Sequence, residues 1–502
     1  MNTYALISLA AYFVLMLAIG LYAYRKSTSD VSEYMLGGRQ LHPAVGALSA
    51  GASDMSGWML MGLPGAVFVS GISAAWIAVG LTIGAYLNYR FVAPRLRVFT
   101  EMADDAITIP DYFEKRFHDR TRALRVLSSV VIVIFFTLYT SAGIVAGGKL
   151  FEASFGLDYR LGLFLTAGVV VAYTLFGGFL AVSLTDFVQG CIMFIALILV
   201  PIVTWFVLQD GAWQTASETA GPGYFGWWPE GMTALGFISL MAWGLGYFGQ
   251  PHIIVRFMAI RSLKDIATAR YIGMSWMIVT VIGAVLTGLV GYTYITTTGT
   301  GIEDSETIFI LLSQVLFHPL VGGFLLAAIL AAIMSTISSQ LLVSSSSLTE
   351  DFYKTFLRKQ ASQSELVTVG RLSVLAVSLV AIGLAFDRSS NILDLVSNAW
   401  AGFGAAFGPI ILLSLWWKGL SRDGALAGMI TGAVVVLFWL YAPITIGGES
   451  LSSFLYEMVP GFFLSGAAAI LVSLIGRDAK PHVQERFGEM EETMSQEPQP
   501  LA

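Results

Sequence analysis

Apolar residues occupy this chain in long runs that are separated by short polar stretches. Each run is about twenty residues long, the length that a helix needs to cross the hydrocarbon layer of a bilayer. The pattern predicts an all-α polytopic membrane protein with thirteen membrane-spanning helices, which we number span 1 to span 13. Their approximate bounds are 3–24, 43–68, 73–93, 122–147, 161–180, 184–208, 233–257, 271–294, 318–348, 367–386, 392–417, 424–442 and 454–475.

The composition supports the same class. Of the 502 residues, 56% are hydrophobic and only 12% are charged, with a mean hydropathy of +0.75. Soluble domains carry about twice that share of charge. The sequence has no phosphate-binding glycine loop, no His/Cys cluster and no Ser-His-Asp constellation at a membrane face. We therefore predict that the protein is not an enzyme, does not bind nucleic acid and needs no obligatory protein partner.

The positions of the basic residues predict the orientation. If the N-terminus lies outside, all of the 27 lysines and arginines except Lys149, Arg160 and Arg388 lie on the inner side. An excess of positive charge in cytoplasmic segments is the usual rule for membrane helices. We expect one transporter domain over 1–475, a periplasmic N-terminus and a disordered cytoplasmic tail over 476–502. Asp304 and Glu306 are expected in a solvated outward loop.

Span 2 contains an unusual centre. The string GASDMSGWMLMGLPG over residues 51–65 places Asp54 between two serines and among several glycines and a proline. A carboxylate at this depth costs at least a few kcal/mol, so it indicates a functional site. Pairing of Asp54 with a helix N-terminus is the structural alternative.

Span 7 is interrupted in a similar way. SLMAWGLGYFGQPH, residues 239–252, contains three glycines and Pro251, which removes a backbone donor inside the helix. Two interrupted spans at matching positions predict a transporter built from repeats, with freed carbonyls that bind substrate and ions near the midplane. The breaks lie five spans apart, which predicts two inverted five-helix repeats over 43–208 and 233–417. Close contacts between small residues are the alternative explanation for the glycines.

Span 9 carries a dense group of hydroxyl side chains within AAIMSTISSQLLVSSSSLTE, residues 331–350. Ser335, Ser338 and Ser339 share one helix face, and Thr336 lies beside them. Hydroxyl and carbonyl oxygens suit a small hard cation. The alternative is that the hydroxyls bond back to carbonyls of the preceding turn.

Five strings together carry a family resemblance: LGGRQL, SAGASDMSGWMLMGLPGAVF, WGLGYFGQPHI, AAIMSTISSQLLVSSSSLTEDFY and AWAGFGAAFGP. They closely resemble the sodium:solute symporter family, over about residues 5–475. The resemblance implies the LeuT-type inverted 5+5 repeat, with one extra helix before the repeats and two after them. It also implies sodium-coupled import of L-proline across the bacterial inner membrane.

The resemblance further implies residue roles. Sodium would bind between the break of span 2 and span 9, and its implied ligands are Ala52, Met55, Ala332, Ser335 and Thr336. Implied residues for coupling and sodium handling are Asp54, Arg39, Asp186, Ser49, Ser56, Gly57 and Gly62. Implied substrate contacts are Trp243, Tyr247 and Pro251, with Tyr139 and Trp58 nearby.

Two alternatives stay open at this stage. Some relatives of this fold bind a second sodium, and the residues that match their site are Asp186, Ser338 and Ser339. A sodium symporter of the same fold could also carry another amino acid, pantothenate or a sugar. The residues of the substrate pocket determine which of these solutes binds, and the sequence identifies those residues only by resemblance.

Overall fold

The computed structural model describes residues 3–26, 31–221, 223–387, 391–476 and 481–496, so Arg388 lies outside the described residues. The first half of the described chain is helical throughout. Its helices, including short 3-10 and π turns, are Thr3–Lys26, Val31–Leu36, Gly37–Arg39, Pro43–Asp54, Trp58–Gly62, Leu63–Ser70, Gly71–Ala75, Trp76–Leu87, Asn88–Val92, Ala93–Met102, Ile109–Phe117, Ala123–Phe155, Tyr159–Val207 and Ala212–Ala220.

The second half has the same character and adds one small hairpin on the surface. Its helices are Ala234–Met241, Ala242–Gly249, Pro251–Ala259, Leu263–Thr298, Ser305–Thr307, Ile308–Val315, Pro319–Ser346, Ser347–Leu357, Gln363–Leu384, Ile392–Trp416, Arg422–Tyr441, Leu451–Phe454, Met458–Ile475 and Pro481–Gln496. The antiparallel strands are Thr445–Ile446 and Glu449–Ser450.

Helices occur at the positions of all the predicted spans, but not as thirteen separate rods. Within the described residues, ten helices are long and apolar enough to cross a membrane. One of them, Trp58–Met102, includes the second half of span 2 and all of span 3. Spans 5 and 6 run together as Tyr159–Val207, with a kink at Gly178, whose φ is 58° and ψ −151°.

The burial of the spans separates a core from a periphery. Spans 9 and 11 are the most deeply buried of the ten long helices, whereas spans 1, 12 and 13 are the least buried. The three least buried spans are the ones that lie outside the two predicted repeats. Their exposed faces are rich in large apolar side chains such as Val14, Phe438 and Leu474, which suits contact with lipid.

The prediction that spans 2 and 7 are broken is confirmed. The helix Pro43–Asp54 ends because the amide of Ser56 bonds to the carbonyl of Asp54, at 3.0 Å, and turns the chain out of the helix. Span 7 passes through a 3-10 segment and breaks at Gln250, where φ is −82° and ψ 106°. Pro251 then begins the next helix, a position where its missing amide costs nothing.

The prediction of a disordered tail is wrong for residues 481–496. They form the helix Pro481–Gln496, and its Val483, Phe487 and Met490 are buried. The aromatic ring of Phe487 packs on that of Phe99, with centroids 6.4 Å apart. An acidic and polar composition suggested disorder, but three apolar side chains on one helix face are enough to attach this segment to the protein.

Candidate functional site

The first part of the candidate site lies where the break of span 2 meets span 9. The carbonyl of Ala52 has lost its helical donor and accepts a hydrogen bond from Ser335 Oγ at 2.6 Å. The carbonyl of Ala332 accepts from Ser335 at 3.1 Å and from Thr336 at 3.2 Å. Met55 lies in the break itself, with φ −83° and ψ 77°. The structure therefore brings Ala52, Ala332, Ser335 and Thr336 together, and Met55 lies in the same break of span 2.

The hydroxyls of span 9 also donate to carbonyls of the preceding turn, which is the alternative to a cation site. Thr336 donates to Ala332 in the preceding turn, and Ser339 donates to the carbonyl of Ser335 at 2.8 Å. Ser335 also donates to another helix, span 2, and Ser339 also donates to Asp186 in span 6 at 3.5 Å. A hydrogen bond to the preceding turn alone would not connect two helices.

Asp54 ends the first half of span 2 and is buried, with 2% of its surface exposed. Its Oδ2 accepts a hydrogen bond from the hydroxyl of Tyr247, which lies in the break of span 7. Its Oδ1 is buried and has no hydrogen-bond partner among the residues that the structure describes. The backbone carbonyl of Asp54 accepts from Trp58 Nε1 at 3.1 Å. The two broken spans are thus joined through one carboxylate whose side-chain partner is neutral.

Asp186 in span 6 is the second buried carboxylate of the site, and its partner is charged. Asp186 Oδ2 lies 3.2 Å from Arg256 Nη2 and accepts from Ser49 Oγ at 2.7 Å. Arg256 also donates to Ser339 at 2.5 Å and to Ser49 at 3.1 Å. Ser338 instead donates to the carbonyl of Ser335 at 3.1 Å. Of the residues expected at a second sodium site, two therefore contact a guanidinium.

The position of Arg256 in the site was not expected from the sequence. Arg256 comes at the end of a predicted span, so it was placed among the cytoplasmic charges. In the structure Arg256 is fully buried and lies between spans 2, 6 and 9. A signal was available, since Arg256 is one turn from His252 inside a helix with no other charge.

Aromatic side chains line the other side of the two breaks. The rings of Trp58 and Trp243 lie 6.4 Å apart, and Trp243 stacks on Tyr456 with centroids 5.6 Å apart. Tyr247 packs edge-on against Trp400, which donates to the carbonyl of Trp243 at 2.8 Å. Trp400 and Tyr456 were not expected at the site, although Trp400 lies in one of the five family strings.

The remaining expected substrate contacts flank this aromatic group. Tyr139 in span 4 is buried, and its ring lies 6.0 Å from that of His252. His252 follows Pro251, which is buried at the start of the second half of span 7. Spans 2, 4 and 7 therefore all contribute expected substrate residues to one buried region. Because the region is buried, the substrate must pass a closed layer to reach it.

The motif neighbours of Asp54 are packed tightly. A Cβ at Gly57 would come within 2.9 Å of Ala146, and a Cβ at Gly62 within 3.3 Å of Leu393. These glycines let span 2 lie close to the neighbouring helices at the break. Ser56 is buried beside them, and its Oγ lies 3.5 Å from the amide of Trp58.

Arg39 closes the end of the molecule where span 2 begins. It is buried in a left-handed conformation, with φ 54°, and bonds to Asp105 at 2.6 Å, to the carbonyl of Ala106 at 2.6 Å and to that of Met258 at 2.9 Å. Burial lowers the pKa of the Arg39 guanidinium from its usual value, and Asp105 opposes this change. Arg39 thereby ties the loop after span 3 to the end of span 7.

A second charged cluster closes the opposite end, and here the expectation of a solvated loop is wrong for Glu306. Glu306 is buried and lies 3.0 Å from Lys149 Nζ in span 4. Its carboxylate also accepts from the amides of Ile392 and Leu393, at 3.0 and 3.2 Å. The start of span 11 is a helix N-terminus, where a carboxylate is stabilised by free amides and by the helix dipole.

Comparison with known proteins agrees with this geometry. A model of the sodium:solute symporter family matches residues 34–432, which is most of the chain. The chain belongs to the sodium:solute symporter family. It is similar to the "Osmoregulated proline transporter OpuE" of Bacillus subtilis, with 58% identity over 98% of this chain and 99% of the relative.

Two further comparisons extend this result. The family member is similar to a "Sodium/proline symporter" of Staphylococcus aureus, with 55% identity over 94% of this chain and 93% of the relative. Among solved structures, a Na+-coupled sialic acid symporter matches with a TM-score of 0.81 over 95% of this chain and 99% of that one. The identity to that structure is 20%, so it shows the fold alone. The chain is thus a multi-pass membrane protein of a sodium-symporter family.

Proposed function

We propose that this protein imports L-proline into a bacterial cell with sodium, by alternating access. It forms one domain over 1–475 in the inner membrane, followed by the tail 476–502. The domain has thirteen spans, with a periplasmic N-terminus and a cytoplasmic C-terminus. Spans 2–6 and 7–11 are the two inverted repeats. The observation that carries the proposal is that the two broken spans meet at one buried carboxylate, near carbonyl and hydroxyl oxygens that bond to each other between span 2 and span 9.

Sodium binds between the break of span 2 and span 9. The carbonyls of Ala52, Met55 and Ala332 and the hydroxyls of Ser335 and Thr336 provide uncharged oxygen ligands, as hard cations prefer. The 2.6 Å bond from Ser335 to Ala52 supports this site, because it brings the break of span 2 and span 9 close enough to share one ligand. Sodium replaces this bond when it enters, so the break and span 9 keep their contact through the ion.

Asp54 supplies the negative charge that sodium binding needs. A carboxylate whose only side-chain partner is a phenol remains poorly compensated at this depth. Arrival of a cation one residue away removes that penalty. Asp54 thus favours sodium without having to be a direct ligand.

Proline binds against the aromatic group between the two breaks. Its ring packs on Trp243, with Trp58, Tyr139, Tyr247 and Pro251 around it. The free amides and positive helix ends at a broken helix suit the carboxylate of a zwitterion.

Coupling follows because the two ligands share the same break. Sodium holds the end of helix Pro43–Asp54, and Trp58, four residues after Asp54, belongs to the substrate region. By linkage, a sodium ion that favours proline binding is itself favoured by proline to the same degree. One charge moved inward across the membrane contributes about 2.3 kcal/mol per 100 mV to accumulation.

One sodium per cycle fits the charges better than two. The second site would use Asp186, Ser338 and Ser339, but Arg256 already lies 3.2 Å from Asp186 and 2.5 Å from Ser339. A second cation at this place would meet a like charge. The positive charge of Arg256 therefore lies at the residues that bind a second sodium ion in other proteins of this fold.

The test is uptake of labelled proline by proteoliposomes that contain the purified protein. With sodium outside and a negative interior, we expect accumulation above the external concentration. Without sodium, or with sodium equal on both sides and no potential, accumulation should disappear. Equal uptake with and without the sodium gradient would rule out sodium coupling.

Transport of another solute by the same machine is the second candidate, because the aromatic region fits any small ring or short apolar side chain. Competition decides it: a tenfold excess of unlabelled solute should inhibit uptake only if it binds this region. We expect inhibition by proline and close ring analogues, and none by pantothenate or by a sugar.

A further inference from the structure

Asn88 in span 3 is a buried polar residue that the proposed cycle does not use. Only 1% of its surface is exposed, and within the described part of the chain both its Oδ1 and its Nδ2 are buried without a hydrogen-bond partner. An amide buried in this way costs free energy unless it has a ligand. Asn88 also begins a π-helical turn, Asn88–Val92, in which the amide of Ala93 bonds to the carbonyl of Asn88. Such turns within helices are frequent at functional sites.

Asn88 lines a small cavity that also reaches Asp54. The cavity has room for a water-sized ligand but not for an amino acid. Its other walls are mainly apolar. Its lining residues include Asp54, Asn88, Phe257, Met274 and Met277. Two buried side chains with unpartnered oxygen atoms, Asp54 Oδ1 and Asn88 Oδ1, therefore border the same cavity.

The segments that surround the cavity indicate where it lies relative to Asp54 and to the ends of the spans. It is bounded by the half of span 2 that begins at Pro43, by the end of span 3, by the second half of span 7 and by span 8. Arg39, just before span 2, bonds to Asp105, Ala106 and Met258, which follow spans 3 and 7 along the chain. Among the described residues, the hydroxyls of Ser335 and Thr336 do not border this cavity, whereas Met55, a proposed sodium ligand, does. The cavity therefore adjoins the sodium site proposed above at Met55, without a residue of span 9 in its wall.

We propose that Asp54 and Asn88 form a second, transient oxygen site for sodium, on the route by which the ion leaves toward the cytoplasm. The inference rests on the proposed function, because it assumes that sodium binds first at the break. Sodium moves from the Ala52–Ser335 site past the carboxylate of Asp54 and exchanges ligands for the amide oxygen of Asn88 and water. The polar amide lowers the barrier for an ion that otherwise faces Phe257, Met274 and Met277.

The test separates ion release from ion binding, with Asn88→Leu as the main variant. Leucine keeps the approximate volume and removes both polar atoms. Net uptake driven by sodium needs release of the ion inside, whereas proline counterflow with equal sodium on both sides does not. We expect net uptake to fall about fivefold or more, the size of one lost polar contact at the barrier, with counterflow and external half-saturating sodium within about twofold.

Two further variants control for packing and for the polar atom. Met274→Leu changes the same cavity wall without changing its polarity and should leave both assays within about twofold. Asn88→Ser restores an oxygen and should recover much of the net uptake. Equilibrium binding of labelled proline in detergent, with sodium present, should be the same for Asn88→Leu and the wild type, which shows that the variant is folded.

The outcomes are distinct. If net uptake and counterflow of Asn88→Leu fall together, or if both stay unchanged, Asn88 is not part of a release route. If Asn88→Ser behaves like Asn88→Leu, the oxygen is not the cause, and the inference is equally wrong. If the wild type shows no sodium-driven uptake, the proposed function fails instead, whatever the variants do.

Discussion

Asp54 and Asp186 are two buried carboxylates with opposite surroundings. Asp54 is at a helix break, and its side chain accepts a hydrogen bond from the neutral hydroxyl of Tyr247. Asp186 lies inside a continuous helix and pairs with the fully buried Arg256. Both are aspartates in membrane-spanning segments, and the family resemblance links both to sodium. Within the described residues, Asp186 has a protein cation as a partner and Asp54 does not.

This difference separates two uses of a buried charge. A carboxylate that is paired with a guanidinium is compensated without an ion, and the pair joins two helices. A carboxylate without a protein cation is compensated only when an ion arrives, so its stability depends on that ion. We therefore propose coupling as the role of Asp54 and a structural role for Asp186 with Arg256.

The largest effect is expected for Asp54→Asn. This change removes the charge that attracts sodium, with a cost of about 3 kcal/mol or about a hundredfold in apparent sodium affinity, as for one partner of a buried ion pair. Proline uptake at ordinary sodium concentrations should be lost with it. The measurement is initial uptake as a function of sodium concentration.

Glu449→Gln is the control for Asp54→Asn, because Glu449 is exposed in the hairpin and its loss should leave uptake and membrane abundance unchanged. If Asp54→Asn retained the sodium dependence of the wild type, the contrast between the two aspartates would be incorrect.

The second effect concerns Asp186 and Arg256. Each single change, Asp186→Asn or Arg256→Gln, leaves a buried charge alone and should lower the free energy of unfolding by about 3 kcal/mol. The double variant restores neutrality and should regain at least half of that loss. Thermal unfolding in detergent gives the four values of this cycle. Additive losses in the double variant would show that the pair does not interact.

The breaks were predictable because glycine and proline change backbone geometry locally, in a way that the sequence displays. The string around Pro251 therefore located the interruption of span 7 within a few residues. The partners of Asp54 and Asp186 were less accessible. Arg256 looked like a cytoplasmic charge, because its position along the chain does not show that spans 2 and 6 pack over it. Tyr247 was expected at the site, but as a wall for the substrate.

Burial explains the other differences between the sequence and the structure. Glu306 is in a segment that is polar enough to be solvated, and only the approach of Lys149 and the start of span 11 buries it. Asn88 gave no signal at all, because a single asparagine near the end of an apolar run resembles an interfacial residue. Such contacts join segments far apart along the chain, and no local pattern records them.

The third effect separates the two sets of hydroxyls. Ser335→Ala removes a proposed sodium ligand and should raise half-saturating sodium about tenfold, as expected for the loss of one contact to a charge. Ser338→Ala and Ser339→Ala should leave the Hill coefficient for sodium near one, because Arg256 and not a second ion accompanies Asp186. Transport kinetics over a range of sodium concentrations measure both quantities. A Hill coefficient that falls from about two to one in either variant would establish the second site.

The smallest effect is expected for Tyr247→Phe, which tests the hydrogen bond from a neutral hydroxyl to Asp54. The change removes the hydroxyl that donates to Asp54 and keeps the ring that packs on Trp400. If the hydroxyl only orients a carboxylate that sodium compensates, the loss should be about 1 kcal/mol, or about fivefold in half-saturating sodium, with maximal uptake nearly unchanged. Trp400→Phe is the comparison variant, since it leaves the hydroxyl of Tyr247 in place and removes instead the indole that packs on Tyr247 and donates to the carbonyl of Trp243. A loss as large as that of Asp54→Asn would mean that the tyrosine, and not the ion, is the essential partner of this carboxylate, and the two aspartates would then differ in degree and not in kind.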